Sequence, residues 1–210
     1  MIIEIDLGRN KCHYPTCDPF IGKWSEWCKK HEAAPLALLP ITADYHDEAL
    51  DGKSRNMIRK AAKYYYYHTF YYNLHIEDIY RINTSTAERQ GKPMTVAYLT
   101  KPTPIMVPDD LCNTQHRYVF IGGFNSSDEL KAYAALAVVG QIGILNTIIG
   151  HVENLSSGIM NGLIDYLVSY LHRTSSCIYL NYLDMHNCTP GLRAFKDSVG
   201  FAPLRVSFVY

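Results

Sequence analysis

The stretch that decides the fold reads GHVENLSSGIMNGLIDYLVSYLHR and spans residues 150–173. It begins at the end of an apolar, strand-like run, and a short polar loop then leads through Gly158 into apolar residues at helical spacing. Serine and asparagine side chains of the loop can cap the helix. The first N–H groups of a helix lack partners and its dipole attracts anions, so the loop can also hold a phosphate. The pattern predicts strand, loop and helix, and it leaves capping and anion binding both open.

Further strands are predicted on both sides of this unit. Apolar runs at 118–124 and 131–139 flank the turn residues NSSDE, which indicates a hairpin, and a third strand at 141–150 enters the loop. After the helix, strands at 177–183 and 204–210 enclose a short helix. Consecutive strands favour antiparallel pairing, whereas the strand–helix–strand close favours one parallel pair. We therefore expect an α/β (α+β) fold with a mixed, mostly antiparallel central sheet and helices on both faces.

The first half of the chain adds an aromatic run. KYYYYHTFYY, residues 63–72, has the composition of a strand. Its rings could stack on nucleic-acid bases or fill a core on both faces of the sheet, and we expect the core role. The other predicted elements are helices at 18–32, 51–63 and 76–91 and strands at 1–6, 35–42 and 94–100.

Composition narrows the classes of protein to consider. Twenty basic residues balance twenty acidic ones, so no overall field recruits nucleic acid or a membrane surface. No apolar run approaches the ~20 residues that span a bilayer, and the N-terminus lacks the features of a signal peptide. We therefore expect a cytoplasmic protein with reduced cysteines and no membrane partner. Residues 1–50 are expected to pack on or extend a core domain formed by residues 51–210.

The order of elements in the second half resembles the C-terminal half of GNAT-fold N-acyltransferases. In that family, two parallel strands splay apart, and an Arg/Gln-x-x-Gly-x-Gly/Ala loop between them holds the pyrophosphate of acetyl-CoA. Only Gly158 agrees with this pattern here. The resemblance implies acetyl-CoA or another acyl-CoA as co-substrate. The implied binding positions are Asn154, Leu155, Ser156, Ser157, Gly158, Ile159 and Asn187.

The end of the chain carries a second resemblance. NCTPGLRAFKDSVGF, residues 187–201, is similar to the GNAT Asn-x-x-Ala and Phe-Tyr-x-x-x-Gly-Phe region through Asn187, Phe195 and the closing Gly-Phe pair. Lys196 stands where many members carry the tyrosine that reprotonates the CoA thiolate. Phe-Lys followed by a glycine is instead similar to Fem-type aminoacyl transferases, which have this fold and take the acyl group from tRNA.

One basic segment of the sequence suits an enzyme of this fold that binds nucleic acid. DGKSRNMIRKAAK, followed by the aromatic strand and a helix that ends in arginine, also resembles the Fem pattern. Its cations suit a phosphodiester backbone or a CoA 3′-phosphate, and the same side chains can also form an ordinary solvated face. The GNAT-related Mom type of phage DNA modification implies a further role of this kind. The candidate contacts are Lys53, Arg55, Arg59 and Lys60.

Acyl transfer to an amine requires a base, donors for the oxyanion and a proton for the leaving group. A histidine and a glutamate lie at the strand-to-loop junction, and a histidine can relay a proton near neutral pH. On the next strand, Tyr182 could protonate the leaving group and Asp184 could hold the amine. Each of these side chains could instead satisfy local backbone groups. The candidate catalytic residues are His151, Glu153, Tyr182, Asp184 and Lys196.

The N-terminal segment CHYPTCDPFIGKWSEWCKKH contains thiols and an imidazole at spacings that could close a tetrahedral zinc site. The neighbouring tryptophans indicate that the same helical face also packs, so the alternative is ordinary buried thiols. The candidate ligands of a structural zinc are Cys12, Cys17, Cys28 and His31.

Three functions follow from these patterns. The first is an N-acyltransferase that moves an acyl group from an acetyl-CoA-type donor to a primary amine of a small molecule or macromolecule. The second is a Fem-like aminoacyl transferase or a nucleic-acid-modifying GNAT relative. The third is a non-catalytic GNAT-like binding module.

Overall fold

A mixed β-sheet organises the chain. The computed structural model describes residues 2–8, 17–32, 34–106, 115–186 and 188–209, without the side chains of residues 17, 18 and 47. Its strands are β1 (Ile2–Asp6), β2 (Leu36–Pro40), β3 (Tyr65–Phe70), β4 (Glu88–Arg89), β5 (Lys92–Pro93), β6 (His116–Asn125), β7 (Leu130–Val139), β8 (Ile142–Gly150), β9 (Tyr179–Asp184) and β10 (Ala202–Val209). Among the described residues, eight strands form one sheet in the order β1-β10-β2-β9-β8-β7-β6-β3, and β4 pairs with β5 in a separate hairpin.

Helices cover both faces of this sheet. In the described part of the chain, the 3₁₀ turns Tyr72–Leu74 and Val152–Ser157 accompany them. The α-helices are α1 (Cys17–His31), α2 (Tyr45–Glu48), α3 (Gly52–Ala61), α4 (Ile76–Thr84), α5 (Val96–Leu99), α6 (Ile159–Thr174) and α7 (Pro190–Ser198). Across the described residues, no helix combines the length and the apolar character needed to cross a membrane.

Strand β7 shows how the sheet separates two cores. Successive side chains of a strand point to opposite faces. Ala134 and Leu136 therefore pack in the cluster that contains α6, whereas Tyr133 packs against Ile79 and Ile82 of α4 on the other face. The α4 face continues into a third cluster around Trp24 of α1. The strand is buried on both sides, as its almost uninterrupted apolar sequence requires.

The first 50 residues contribute strands to the sheet. Strand β1 pairs in parallel with β10, and β2 lies between β10 and β9 with antiparallel pairing to both. Leu36 and Leu38 of β2 are fully buried. This segment therefore extends the central sheet.

The parallel pair β8–β9 opens part-way along its length. The paired residues are Ile142 with Tyr179, Gly143 with Leu180 and Ile144 with Asn181. Beyond Ile144, β8 continues to Gly150 alongside β7 only. The β7–β8 register shifts at this point, since Ala135 pairs with Thr147 and Leu136 with Leu145, which leaves Asn146 as a bulge. The expected splayed strand pair is confirmed, and it opens at a bulge.

The start of α6 is fixed by close backbone packing. Gly158 has a φ of 81°, and a Cβ on it would lie 2.4 Å from the carbonyl oxygen of Met57 in α3. Glycine is therefore required both by the left-handed conformation and by the approach of α3. One turn later, Gly162 admits the hydroxyl of Tyr67, which donates to the carbonyl of Ile159 at 3.0 Å. These contacts hold the helix start in one position.

Three predicted elements differ in the structure. The helix predicted at 76–91 ends at Thr84, and Glu88–Arg89 forms strand β4 because residues 88–93 pair as a hairpin. The aromatic strand forms, but β3 lies at the edge of the sheet and is not buried on both faces, since Tyr66 is 44% exposed. Its abundant tyrosines suit such an edge, because each can pack its ring and expose its hydroxyl. The strand predicted at 94–100 is wrong, because Val96–Leu99 forms the short helix α5. Its side chains are largely exposed, so no sheet face is available to the apolar alternation.

Candidate functional site

The opening between β8 and β9 leads into a cavity of about 380 Å³. Ile148 and Ile149 of β8 form one wall, and Tyr182 of β9 forms another. Met160 and Asn161, in the first turn of α6, also line it. The cavity therefore lies where two strands separate and a helix begins, which is a common position for ligands in α/β proteins.

The first turn of α6 borders this cavity through Met160 and Asn161. The first α-helical hydrogen bond runs from the N–H of Gly162 to the carbonyl of Gly158, at 3.0 Å. The N–H groups of Ile159, Met160 and Asn161 therefore have no acceptor within the helix. No side chain caps α6. Of the two roles that the sequence left open, capping is not the one seen, and the helix start is available to an anion.

The polar loop before α6 is more ordered than the sequence indicates. Residues 152–157 form a 3₁₀ turn, and Gly158 donates its N–H to the carbonyl of Leu155 at 3.2 Å. The loop amides are thus partly used within the turn. Leu155 lines the cavity. The free donors lie slightly later, in the first turn of the helix itself.

The outer side of the loop faces away from the cavity. The side-chain amide of Asn154 donates to the Tyr65 hydroxyl at 2.9 Å, and the hydroxyls of Tyr65 and Ser157 lie 2.8 Å apart. Lys60 donates to the carbonyl of Ser156 at 2.9 Å. Through these bonds, the predicted donor-binding residues Asn154, Ser156 and Ser157 attach the loop to β3 and α3. Asn187 lies outside the described residues.

An arginine adds positive charge to the cavity. Arg89, in the β4–β5 hairpin, lines the cavity and donates through Nη2 to the carbonyl of Ile82 at 3.0 Å and to Ser85 at 3.1 Å. Its buried Nε has no hydrogen-bond partner in the described part of the chain. Burial lowers the pKa of Arg89, but a guanidinium keeps its proton in proteins. The cavity therefore combines a fixed cation with a helix N-terminus, although the exposed Glu88 also borders it.

Lys196 is buried behind the wall formed by β9. Its ammonium donates to the carbonyls of Tyr182 and Asp184, each at 2.7 Å, and lies 3.1 Å from the Cys188 sulfur. It also lies 4.4 Å from the centre of the Tyr182 ring. The side chain is 1% exposed, so it supports the end of β9 and is absent from the cavity lining.

A side-chain amide shapes the same strand end. The buried Asn181 donates to the carbonyl of Leu183 at 3.0 Å and accepts from the N–H of Leu183 at 3.1 Å. Leu183 has a φ of 55°, a conformation that non-glycine residues rarely adopt. The bonds of Asn181 and Lys196 on either side compensate for this strain.

Tyr182 is the predicted catalytic residue that borders the cavity. Burial raises the pKa of its phenol above the ordinary value, with a smaller contribution from Cys188. The phenol is therefore protonated at neutral pH and can donate a hydrogen bond, while its raised pKa makes it a weaker acid than an exposed tyrosine. The structure places its ring between Lys196 and Phe201, whose ring centre is 5.7 Å away.

The remaining catalytic candidates lie at the rim or behind it. His151 Nδ1 is 4.0 Å from a carboxylate oxygen of Glu153, and the Glu153 side chain is 83% exposed. Neither residue is among those that line the cavity. Asp184 is half-buried and contributes its carbonyl to Lys196. The structure thus brings Tyr182 to the opening and sets His151, Glu153 and Asp184 around it.

The basic helix uses several of its cations within the chain. Arg55 donates to the carbonyls of His46 and Leu50 at 3.1 and 2.8 Å, and Arg59 donates to the Asn56 side chain at 2.6 Å. Lys53 is exposed. The basic helix contacts the loop before α6 through Lys60, and this hydrogen bond supports that loop.

The candidate zinc ligands are only partly described. Cys12 and the side chain of Cys17 lie outside the described residues. Cys28 is fully buried in the cluster around Trp24, and burial raises the pKa of its thiol to about 12. His31 donates from Nδ1 to the Trp27 carbonyl at 2.7 Å. Among the described residues, no three His, Cys, Asp or Glu side chains form a metal-binding group.

Sequence reasoning missed two cavity residues, Asn161 and Arg89. A signal for Asn161 exists, because a polar residue in the first turn of an otherwise apolar helix needs a polar surface. Arg89 lies in a two-stranded hairpin that was predicted as helix, so its position could not be anticipated. The order of elements did identify the helix start correctly.

Comparisons with known proteins agree with this architecture. No family model matches the sequence, and no curated protein matches it. The C-terminal domain of a putative lysylphosphatidylglycerol synthetase from Agrobacterium fabrum matches in structure with a TM-score of 0.56 and 12% identity, over 90% of this chain and 62% of that one. FemX matches with a TM-score of 0.61 and 11% identity, over 81% and 59%.

The chain therefore shares its fold with FemX and with the lysylphosphatidylglycerol synthetase domain. L-PGS from Bacillus licheniformis also matches, with a TM-score of 0.53 and 11% identity over 80% of this chain and 57% of that one. This chain thus spans less than two thirds of each of these neighbours.

Proposed function

We propose that the chain is an N-acyltransferase that moves an acyl or aminoacyl group from a phosphate-bearing donor to a primary amine. The observation that carries the proposal is the cavity at the splayed end of β8 and β9, which the first turn of α6 lines through Met160 and Asn161. The fold shared with FemX and the lysylphosphatidylglycerol synthetase domain supports a transferase.

The charges of the cavity favour an anionic donor. The α6 N-terminus carries partial positive charge, and Arg89 adds a full one. A pyrophosphate or phosphodiester would accept hydrogen bonds from the N–H groups of Met160 and Asn161. A CoA thioester carries a pyrophosphate at the far end of its pantetheine arm, and an ester at the end of tRNA carries a phosphodiester on the same terminal nucleotide, so either fits this chemistry.

The chain's own residues can support the transfer. The phenol of Tyr182 borders the cavity and is neutral at neutral pH, so it can donate a hydrogen bond to the departing sulfur or oxygen as negative charge develops there. Lys196 acts as a positioning residue, since it fixes the two carbonyls on either side of Leu183. The apolar wall of Ile148 and Ile149 would exclude water from the acyl group.

Asn161→Asp tests the donor site without removing a structural contact. A carboxylate in the first turn of α6 is compatible with the helix dipole, so we expect an unchanged or slightly raised Tm. The same charge would repel a phosphate, so CoA or an aminoacylated CCA oligonucleotide should bind at least about tenfold more weakly, a loss of about 1.4 kcal/mol. Isothermal titration with each ligand measures this effect.

Asn161→Ser is the matched neutral control and should bind as the wild type does. If wild-type protein binds neither ligand, or if Asn161→Asp binds as tightly as Asn161→Ser, the donor site is wrong. Binding without acyl transfer to any amine would instead favour the non-catalytic module. Selective binding of one ligand identifies the donor class.

A further inference from the structure

A second cavity lies on the other face of the sheet. It has a volume of about 560 Å³ and is separate from the donor cavity. Tyr118 and Phe120 of β6 and Tyr133 of β7 form its floor, and Tyr98 and Tyr72 border it from α5 and the turn before α4. The rings of Tyr72 and Phe120 lie 4.8 Å apart, and those of Tyr118 and Phe120 lie 5.3 Å apart at 79°. Five aromatic rings therefore line one concave surface.

The polar groups of this cavity are hydroxyls and amides. Tyr133 donates its hydroxyl proton to the Asn83 side chain at 2.9 Å, and the bulge residue Asn146 donates its side-chain amide to the Tyr118 hydroxyl at 3.1 Å. Burial raises the pKa of the phenols of Tyr72, Tyr118 and Tyr133, so all three are neutral. Threonine hydroxyls at 100, 103 and 147 complete the rim.

Formal charge is almost absent from the lining. No aspartate or glutamate is among the described residues that line this cavity. Lys101 is the charged member, and its ammonium forms an ion pair with Glu77. The described lining residues offer no carboxylate, and their one cation is paired with Glu77, so an acceptor that is recognised through such groups does not fit this cavity. A neutral ligand with hydroxyl groups would find both hydrogen-bond partners and aromatic faces.

The two cavities meet at the bulge of β8. Asn146 and Thr147 line the second cavity, and the next residues of the same strand, Ile148 and Ile149, line the donor cavity. At this level β9 no longer pairs with β8, so the two cavities are neighbours along β8 and no β8–β9 pairing lies beside them.

We propose that the tyrosine-lined cavity binds the acceptor, and that the acceptor is a polyhydroxylated compound with one primary amine, such as an amino sugar. The inference rests on the proposed transfer function and names its substrate class. The rings would pack on the apolar faces of the sugar, and the phenol and amide groups would bond to its hydroxyls.

The neutral lining also suits the chemistry of the amine. The nucleophile must lose a proton from its ammonium form before its nitrogen attacks the acyl carbon. A carboxylate would stabilise the ammonium, whereas a neutral, partly desolvated cavity favours the free amine. The new C–N bond forms as the bond from the acyl carbon to sulfur or oxygen breaks, and the leaving group takes up a proton. The amine gives its second proton to solvent, so the step balances.

Saturation-transfer NMR on the full chain tests the acceptor class without any donor. We expect glucosamine and N-acetylglucosamine to receive saturation, and n-butylamine, which has no hydroxyls, to receive little. The double variant Tyr98→Phe/Tyr118→Phe keeps both rings and removes two hydroxyls, so it should weaken glucosamine binding about tenfold. Tyr71→Phe is the matched control, because Tyr71 is 81% exposed and does not line the cavity.

The outcomes separate this inference from the proposed function. If n-butylamine binds as well as glucosamine, or if Tyr71→Phe has the same effect as the double variant, the acceptor class is wrong. No sugar binding together with intact donor titration would overturn this inference and leave the transferase standing. Sugar binding that persists when no donor binds would support the cavity as a sugar site and count against its role as an acceptor site.

Discussion

Lys196 shows how one buried charge can shape a strand end. Its ammonium satisfies two carbonyls and lies over the ring of Tyr182, yet it is absent from the cavity lining. The sequence placed this lysine where a GNAT acyltransferase would carry a proton-donating tyrosine. The structure instead gives it a supporting position, and Tyr182 is the predicted catalytic residue that lines the cavity.

We predict that Lys196→Met reduces the free energy of unfolding by about 2 kcal/mol, because two buried carbonyls lose their donor. It should also lower kcat more than it changes the Kd of the donor, since the α6 donor groups stay in place. Urea denaturation and single-turnover assays measure the two effects. Lys53→Met, on an exposed lysine, is the control. Equal stability of the two variants would contradict the supporting role.

A helix or strand can be predicted from local sequence where its residue pattern fits only one type of secondary structure. The polar loop, Gly158 and the apolar spacing of α6 identified the strand–loop–helix unit, because a helix of 16 residues with a buried stripe leaves little ambiguity. The strand predicted at 94–100 is wrong, because apolar alternation in a short segment does not show whether a neighbouring strand is there to pair with it. The edge position of β3 likewise depends on pairing partners far away in sequence.

Gly158→Ala tests the junction between α3 and α6. The substitution should cost at least about 2 kcal/mol of stability, because alanine is strained at this φ and its Cβ would collide with the Met57 carbonyl. Chemical denaturation measures the change. Gly22→Ala is the control, since Gly22 is exposed within α1 with open space around its Cβ position, and it should be neutral or stabilising. A similar response of both variants would show that the junction is not constrained.

In the whole molecule, the donor cavity and the tyrosine-lined cavity are both lined by residues of strand β8. Its fold class and splayed strands were predictable from element order, whereas the cavities were not, since they combine residues from distant segments. Arg89, Asn161 and Tyr182 meet only after the sheet forms. The insertion of β2 between β10 and β9 also leads us to propose that residues 1–50 and 51–210 form one folding unit.

The most direct test of the account is a map of backbone amide shifts during titration of the whole chain with CoA and, separately, with an aminoacylated CCA oligonucleotide. The account predicts that the largest changes for at least one ligand fall on the N–H groups of Ile159, Met160 and Asn161. It would be contradicted if neither ligand perturbs these amides, or if the changes centre on Lys53 and Lys63 instead.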